Sequence, residues 1–179
     1  IWQQSRERIL TIENDNAGFA AAMTSPQMLS SGIIEKMFDT IKNYIAKSTL
    51  YACQPIDATQ NVIAIFGEWC GGSIQKGVAL NSLPRQFVVF NVYFHGTWLT
   101  PDIVRTLRFP DHNIFNIYDV PTYRVQINFN APSTAQNQLV AITEEVERRC
   151  PWAAQFGVEG IGEGVVWRPI DTVWNSTKF

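Results

Sequence analysis

Ile65-Phe66-Gly67-Glu68-Trp69-Cys70-Gly71-Gly72-Ser73-Ile74-Gln75-Lys76-Gly77-Val78 begins in an apolar run and ends in a glycine-rich turn. The run from Asn61 to Phe66 predicts a buried strand that delivers one carboxylate, Glu68, at its end. The Gly71-Gly72 pair beside it has the backbone freedom to let a ligand come close. A second apolar run, Phe87 to Phe94, predicts the next strand. The pattern recurs in Ile161-Gly162-Glu163-Gly164-Val165-Val166-Trp167-Arg168-Pro169, a second glutamate among glycines at the edge of an apolar strand. Two carboxylates presented in this way point to a site for an anionic substrate that travels with a cation.

Outward from these segments, strands and helices mix. Arg8 to Ile12 alternates like a strand. Ser25-Pro26 reads as an N-cap with proline at the first helical position, and Ile34, Met37, Phe38, Ile41 and Ile45 then fall on one face of a helix reaching about Lys47. Thr100-Pro101 opens a short helix through Leu107. Asn113 to Tyr118 and Tyr123 to Phe129 predict two strands around Pro121. Ser133 or Thr134 caps a helix carrying Leu139, Ile142 and Val146 on one face, which ends before Cys150-Pro151, and Ile161 to Trp167 predicts the last strand. The order lacks regular βαβ alternation, so the expected class is α+β, mainly antiparallel sheets with flanking helices.

The chain has 179 residues, enough for one domain with a real core. Its 46% hydrophobic and 17% charged content excludes a disordered chain. No apolar run approaches the ~20 residues that cross a bilayer, and the N-terminus is no signal peptide. Three cysteines, Cys53, Cys70 and Cys150, at unrelated spacings argue for reduced thiols in a cytosolic setting and against a disulfide framework or a zinc site. The net charge of −2 argues against nucleic-acid binding through a broad basic field, so contacts to a polyanion must be local or lie mainly on segments outside this sequence.

Phe66-Gly67-Glu68 and Glu163-Gly164-Val165-Val166-Trp167-Arg168 resemble two strand-borne motifs, FGE and EGxVxK/R, of the ATP-dependent RNA ligases. These belong to the covalent nucleotidyltransferase superfamily, with DNA ligases and mRNA-capping enzymes. Gln75-Lys76-Gly77-Val78 and Phe87-Val88-Val89-Phe90 lie between the motifs in the same order, and Gln4-Ser5-Arg6 through Asp15-Asn16-Ala17-Gly18-Phe19-Ala20 is similar to the region after the nucleophile in phage-type members. The resemblance implies a nucleotidyltransferase core of ATP-grasp-like type across residues 1–179 as a single domain. It also implies that the chain is cut at both ends: the Lys-x-x-Gly nucleophile motif is not begun by Lys36, Lys42, Lys47, Lys76 or Lys178, and the closing lysine pair belongs beyond Lys178-Phe179.

The activity implied is the sealing of RNA 5′-phosphate and 3′-hydroxyl ends through lysyl-adenylate and RNA-adenylate intermediates, as in RNA repair, with ATP and Mg²⁺ as cofactors. RNA ends are the implied partner, and neither a membrane nor a protein partner is expected. Glu68 and Glu163 are the implied metal contacts, and Glu68 also touches the nucleotide ribose. Phe90 stacks on adenine. Arg6 contacts the nucleotide sugar and the RNA end, and Arg168 contacts phosphate in a place where many relatives carry lysine. The catalytic set is thus Glu68, Glu163 and Arg168, and the nucleotide set Arg6, Glu68, Phe90 and Arg168. By the residues alone, each glutamate also reads as a strand-end cap or ion-pair partner and Phe90 as core. Three alternatives stay open: a non-catalytic nucleotide- or RNA-binding relic, a DNA ligase or capping-type enzyme, and an unrelated α+β domain. His95 and His112 have no metal-ligand spacing.

Overall fold

A computed structural model describes residues 3–15, 17–48 and 62–168. The chain divides into two compact units, Ile1–Trp69 with Phe87–Ile117, and Cys70–Gln86 with Tyr118–Phe179.

The first unit opens with a two-stranded antiparallel ribbon, β1 (Gln3–Gln4) and β2 (Ile9–Leu10). The expected strand from Arg8 to Ile12 is therefore shorter than its alternation. Its turn is closed by Ser5, whose amide and hydroxyl both donate to the Arg8 carbonyl. Helix α1 (Phe19–Met23) follows. Both oxygens of the Asp15 carboxylate accept from its first turn, from the amides of Ala20 (2.9 Å) and Ala21 (2.8 Å), satisfying two donors that no helical carbonyl reaches. Ser25 caps α2 (Pro26–Ser30), accepting from the Met28 amide. The single helix expected up to Lys47 is in fact two. Gly32, at φ +65°, takes a left-handed conformation that ends one helical run, and α3 (Ile33–Lys47) starts behind it. Ile34, Met37, Ile41 and Ile45 are buried along α3, as their spacing requires.

The four-stranded sheet is built on β4 (Gln86–Phe94), which pairs with β3 (Ile63–Cys70), β5 (Thr97–Trp98) and β6 (Ile114–Asn116). The β4–β5 hairpin turns on His95 and Gly96, both at positive φ, the signature of a two-residue turn whose twist matches its strands. Strand β6 runs parallel to β4, with Phe87 opposite Ile114, so the chain needs a crossover, and α4 (Pro101–Thr106) lies within it. Ile103 and Val104 of α4 are buried beside α3, where the hydroxyls of Tyr44 and Thr100 hydrogen-bond. The class is α+β with open, mainly antiparallel sheets: β1–β2 and β4–β5 pair antiparallel and β4–β6 parallel.

The second unit is mainly helical. It holds a 3₁₀ turn (Ala79–Ser82), α5 (Pro132–Arg148) and α6 (Pro151–Ala154). Pro132 takes the first position of α5 behind Ala131, so Ser133 and Thr134 lie inside the helix instead of capping it. Val146 is buried, while Leu139 and Ile142 are half-buried. Trp152 is buried and donates its indole N–H to Gln86 Oε1 at 3.0 Å.

Two expected strands are not strands. Tyr123–Phe129 has alternating apolar residues but no strand assignment, and Phe129 is 87% exposed. Ile161–Trp167 likewise has no strand assignment, and at its start the backbone is bonded elsewhere. Gly162 donates its amide to the Val146 and Glu147 carbonyls at the end of α5, and the Ala79 amide donates to the Ile161 carbonyl. Among the described residues no helix is long and apolar enough to cross a membrane.

Candidate functional site

Glu68 belongs to β3 and not to the loop after it, since the strand continues to Cys70. It is the only carboxylate in the four strands of the sheet, and no lysine or arginine lies in them. Its side chain is exposed, and both of its neighbours in sequence are fixed. On one side, Gly67 faces the Phe87 ring and the Val88 carbonyl so closely that a Cβ would sit 2.5 Å from Phe87 Cε2. On the other, the Trp69 indole donates to the Ala17 carbonyl at 3.0 Å, and its ring meets Phe19 edge-on at 5.4 Å. Phe19 also packs against Phe87 at 5.2 Å. Because strand residues alternate faces, Gly67 and Trp69 anchor one side of β3 and Glu68 stands on the other. The segment Asp15 to Ala20 thus does a structural job, holding the strand that carries the carboxylate.

Phe90 separates from its neighbours in the same way. Phe87 and Phe94 are buried at 8% and 9% exposure, whereas Phe90 is 41% exposed on the central strand. A phenylalanine that served only the core would share their burial. Arg6 sits at the tip of the β1–β2 turn, exposed. The first unit therefore holds Arg6, Glu68 and Phe90, the last two on paired strands.

Glu163 and Arg168 belong to the second unit. Glu163 is exposed one residue after Gly162, whose missing side chain lets the backbone meet the end of α5: a Cβ there would lie 2.4 Å from the Val146 carbonyl oxygen. Arg168 donates from Nη2 to the Tyr118 hydroxyl at 2.9 Å and lies 5.8 Å from that ring's centre. The sequence carried no signal for this pair, fifty residues apart.

The Gly71-Gly72 pair corrects the sequence reading. Both glycines have positive φ, but the space beside them is filled by the chain itself. A Cβ on Gly71 would meet the Pro84 carbonyl oxygen at 2.3 Å, and one on Gly72 would meet Arg85 Cγ at 2.3 Å. The glycines permit close packing of Leu83–Arg85, with the Gly72 amide donating to the Leu83 carbonyl at 2.7 Å, and not the approach of a ligand. Cys70 and Cys150 are buried, and Cys53 lies outside the described residues. Among the described residues no three histidine, cysteine, aspartate or glutamate side chains gather around a metal position.

Residues 13–179 match the family model described as RNA ligase. The chain belongs to the RNA ligase family. That membership covers the Asp15 segment, β3 with Glu68, β4 with Phe90, and the Gly162–Arg168 segment alike, and it carries a ligase-type function on RNA. No curated protein and no solved structure matches the chain. In this member of the RNA ligase family the features that sequence reading missed are the supports: Trp69 of β3 with Phe19 against it, the Asp15 cap, and Tyr118 beside Arg168. An aromatic on each side of Gly67-Glu68 was the one available hint.

Proposed function

We propose that the chain is part of a single ATP-dependent nucleotidyltransferase domain that seals RNA 5′-phosphate and 3′-hydroxyl ends, passing AMP through a lysine and then through the RNA 5′-phosphate. The nucleophilic lysine is proposed to lie outside residues 1–179. The observation that carries the reading is the placement of Glu68. A family match over most of the chain coincides with one exposed carboxylate on an otherwise uncharged sheet, clamped through both neighbours, with an exposed Phe90 on the paired strand.

The side chains fit the groups they are proposed to hold. An aromatic ring open to solvent on a central strand suits a purine face, and stacking there is worth ~1–3 kcal/mol. Mg²⁺ is usually held by one or two carboxylates, water and substrate phosphates, so Glu68 and Glu163, each in its own unit, are each suited to contact such an ion. When bound, the metal would offset charge on the phosphates. Glu68 orients the nucleotide by accepting from its ribose hydroxyls. Arg6 offers a planar fork of donors from a turn that Ser5 fixes, suited to sugar and phosphate oxygens. Arg168 presents its remaining guanidinium donors to phosphate while Tyr118 fixes its plane. Arginine stays protonated, so its part is charge and orientation, not proton transfer.

The test is a sealing assay on the complete reading-frame product with a 5′-phosphorylated RNA, ATP and Mg²⁺. Joined RNA, together with an RNA-adenylate that accumulates when the 3′-hydroxyl is removed, is the expected result. Equal sealing of DNA ends, or transfer of a guanylyl cap, would move the assignment to a sister activity of the superfamily.

A further inference from the structure

Phe66 is 39% exposed and Trp98 45% exposed, yet their rings touch edge-on with centroids 5.1 Å apart. Trp98 meets Tyr93 in the same manner at 5.0 Å, as its cross-strand partner in the β4–β5 hairpin. Three aromatic rings meet in one connected group, two of them exposed to water, and contiguous exposed apolar surface of this kind marks places that are used for binding. The group is also tied to the candidate site. Phe66 lies two residues before Glu68 on the same strand, so the two stand on one face of β3. Its electrostatic setting is distinctive. The chain carries 16 acidic residues, yet none occurs from Trp69 to Pro101, the stretch that supplies β4, β5 and their turn.

We infer that Phe66, Tyr93 and Trp98 form a base-stacking platform for the single-stranded end of the RNA being sealed. This rests on the RNA ligase reading and extends it to the part of the substrate beyond the joined nucleotide. A chain of net charge −2 cannot hold RNA by a broad positive field. Aromatic faces are the sequence-tolerant alternative, since every base has a π-face, and the segment that supplies Tyr93 and Trp98 adds no carboxylate to Glu68 that would repel the phosphates between the bases. The turn that carries the platform is a tight two-residue turn. His95 and Gly96 both sit at positive φ, and the register this turn gives sets Trp98 opposite Tyr93. The occupant chosen by these features is unpaired RNA. A duplex keeps its base faces stacked inside and offers none to the rings.

The experiment measures fluorescence anisotropy of a labelled oligouridylate of roughly ten nucleotides, within the span one single-strand site covers, beside a hairpin duplex of matched length. The complete reading-frame product is compared with its Trp98→Leu, Trp98→Phe and Phe66→Leu forms. Trp98→Leu and Phe66→Leu are expected to weaken oligouridylate binding about tenfold, the scale of one lost stacking contact, while hairpin binding stays within about twofold. Trp98→Phe, which keeps an aromatic face, is expected to retain affinity to within about threefold, and its retention rules out misfolding as the cause. Unchanged affinity in Trp98→Leu, an equal loss for the hairpin, or no oligouridylate binding by the parent overturns the inference. So does a fall in molecular mass on sedimentation of Trp98→Leu, which would make the rings a contact between copies of the chain. Covalent AMP on the parent protein is read in parallel: its presence with unaltered RNA binding refutes the platform alone, and its absence refutes the ligase reading itself.

Discussion

Replacing Gly67 by alanine tests how the candidate site is held. The new Cβ would lie 2.5 Å and 2.6 Å from the Phe87 ring carbons Cε2 and Cζ, and 2.8 Å from the Val88 carbonyl oxygen. Such distances are well inside van der Waals contact, so something must move. Phe87 has little room, since it is 8% exposed and its ring is backed by Phe19 at 5.2 Å, which is itself set against Trp69. The Val88 oxygen belongs to the central strand and cannot turn aside. Overpacking of this kind costs ~1–3 kcal/mol. Removing a glycine from a strand interior returns ~0.5–1 kcal/mol of backbone entropy. The expected net loss is about 1–2 kcal/mol, read as a lower urea midpoint at unchanged m-value. The clash also predicts a coupling. In the Gly67→Ala/Phe87→Leu double variant the ring edge is gone, so its loss should fall short of the sum of the single losses by about 1 kcal/mol, with the Val88 contact left over. A Gly67→Ala protein as stable as the parent, or strictly additive single and double variants, would refute the claim that this glycine exists to let β3 and β4 meet beneath Glu68.

Other substitutions follow from the same geometry. Gly71→Ala should cost about 2–4 kcal/mol, from left-handed strain at φ +82° plus a 2.3 Å approach to the Pro84 carbonyl, and no side-chain trimming should rescue it in urea unfolding. Trp152→Phe should lose about 1–3 kcal/mol by leaving the buried Gln86 oxygen without its donor, whereas the Trp152→Phe/Gln86→Met double variant should recover part of that in thermal melts. Phe90→Leu should raise the nucleotide Kd by about five- to a hundredfold in titration calorimetry with a stability change under about 1 kcal/mol, while Phe94→Ala, buried on the same strand, should lose about 3–5 kcal/mol. Arg149 donates to both oxygens of Glu159 at 2.7 Å, and this hydrogen bonding holds the Glu159 carboxyl below its ordinary value. A lowered acid pKa contributes stability that is complete above the ordinary glutamate value and is lost as pH falls through the lowered one. The melting difference between the parent and Glu159→Gln should therefore shrink to nothing in acid and also in high salt.

How much of this was legible in the chain depended on whether a residue's role was local. The stripe Ile34, Met37, Ile41 and Ile45 was readable because helical period and burial are the same fact. The β4 run and the Thr100-Pro101 helix start were readable for similar reasons. Alternation alone misled. Tyr123–Phe129 and Ile161–Trp167 both have apolar residues suited to a strand, but a strand also needs a partner backbone, and the Gly162 amide is already given to the end of α5. Gly71-Gly72 announced unusual backbone without saying what came near it, and the neighbour is Leu83–Arg85, not a ligand. At Gly32 the reverse held: a cap with proline before it and a helical stripe after it hid a left-handed residue that splits the helix. The prominence of Glu68 was visible as a motif, and its clamps were not, because Ala17 and Phe19 lie far from Trp69 in sequence.

The central claim is that Glu68 belongs to a site where a lysine of the whole protein takes AMP from ATP. Intact mass spectrometry of the complete reading-frame product, after incubation with ATP and Mg²⁺, tests it beside the Glu68→Ala form. The account predicts a mass increase of one AMP on the parent and its loss in Glu68→Ala, with both proteins folded by circular dichroism. A parent that gains no AMP, or a Glu68→Ala protein that gains it equally, would contradict the account.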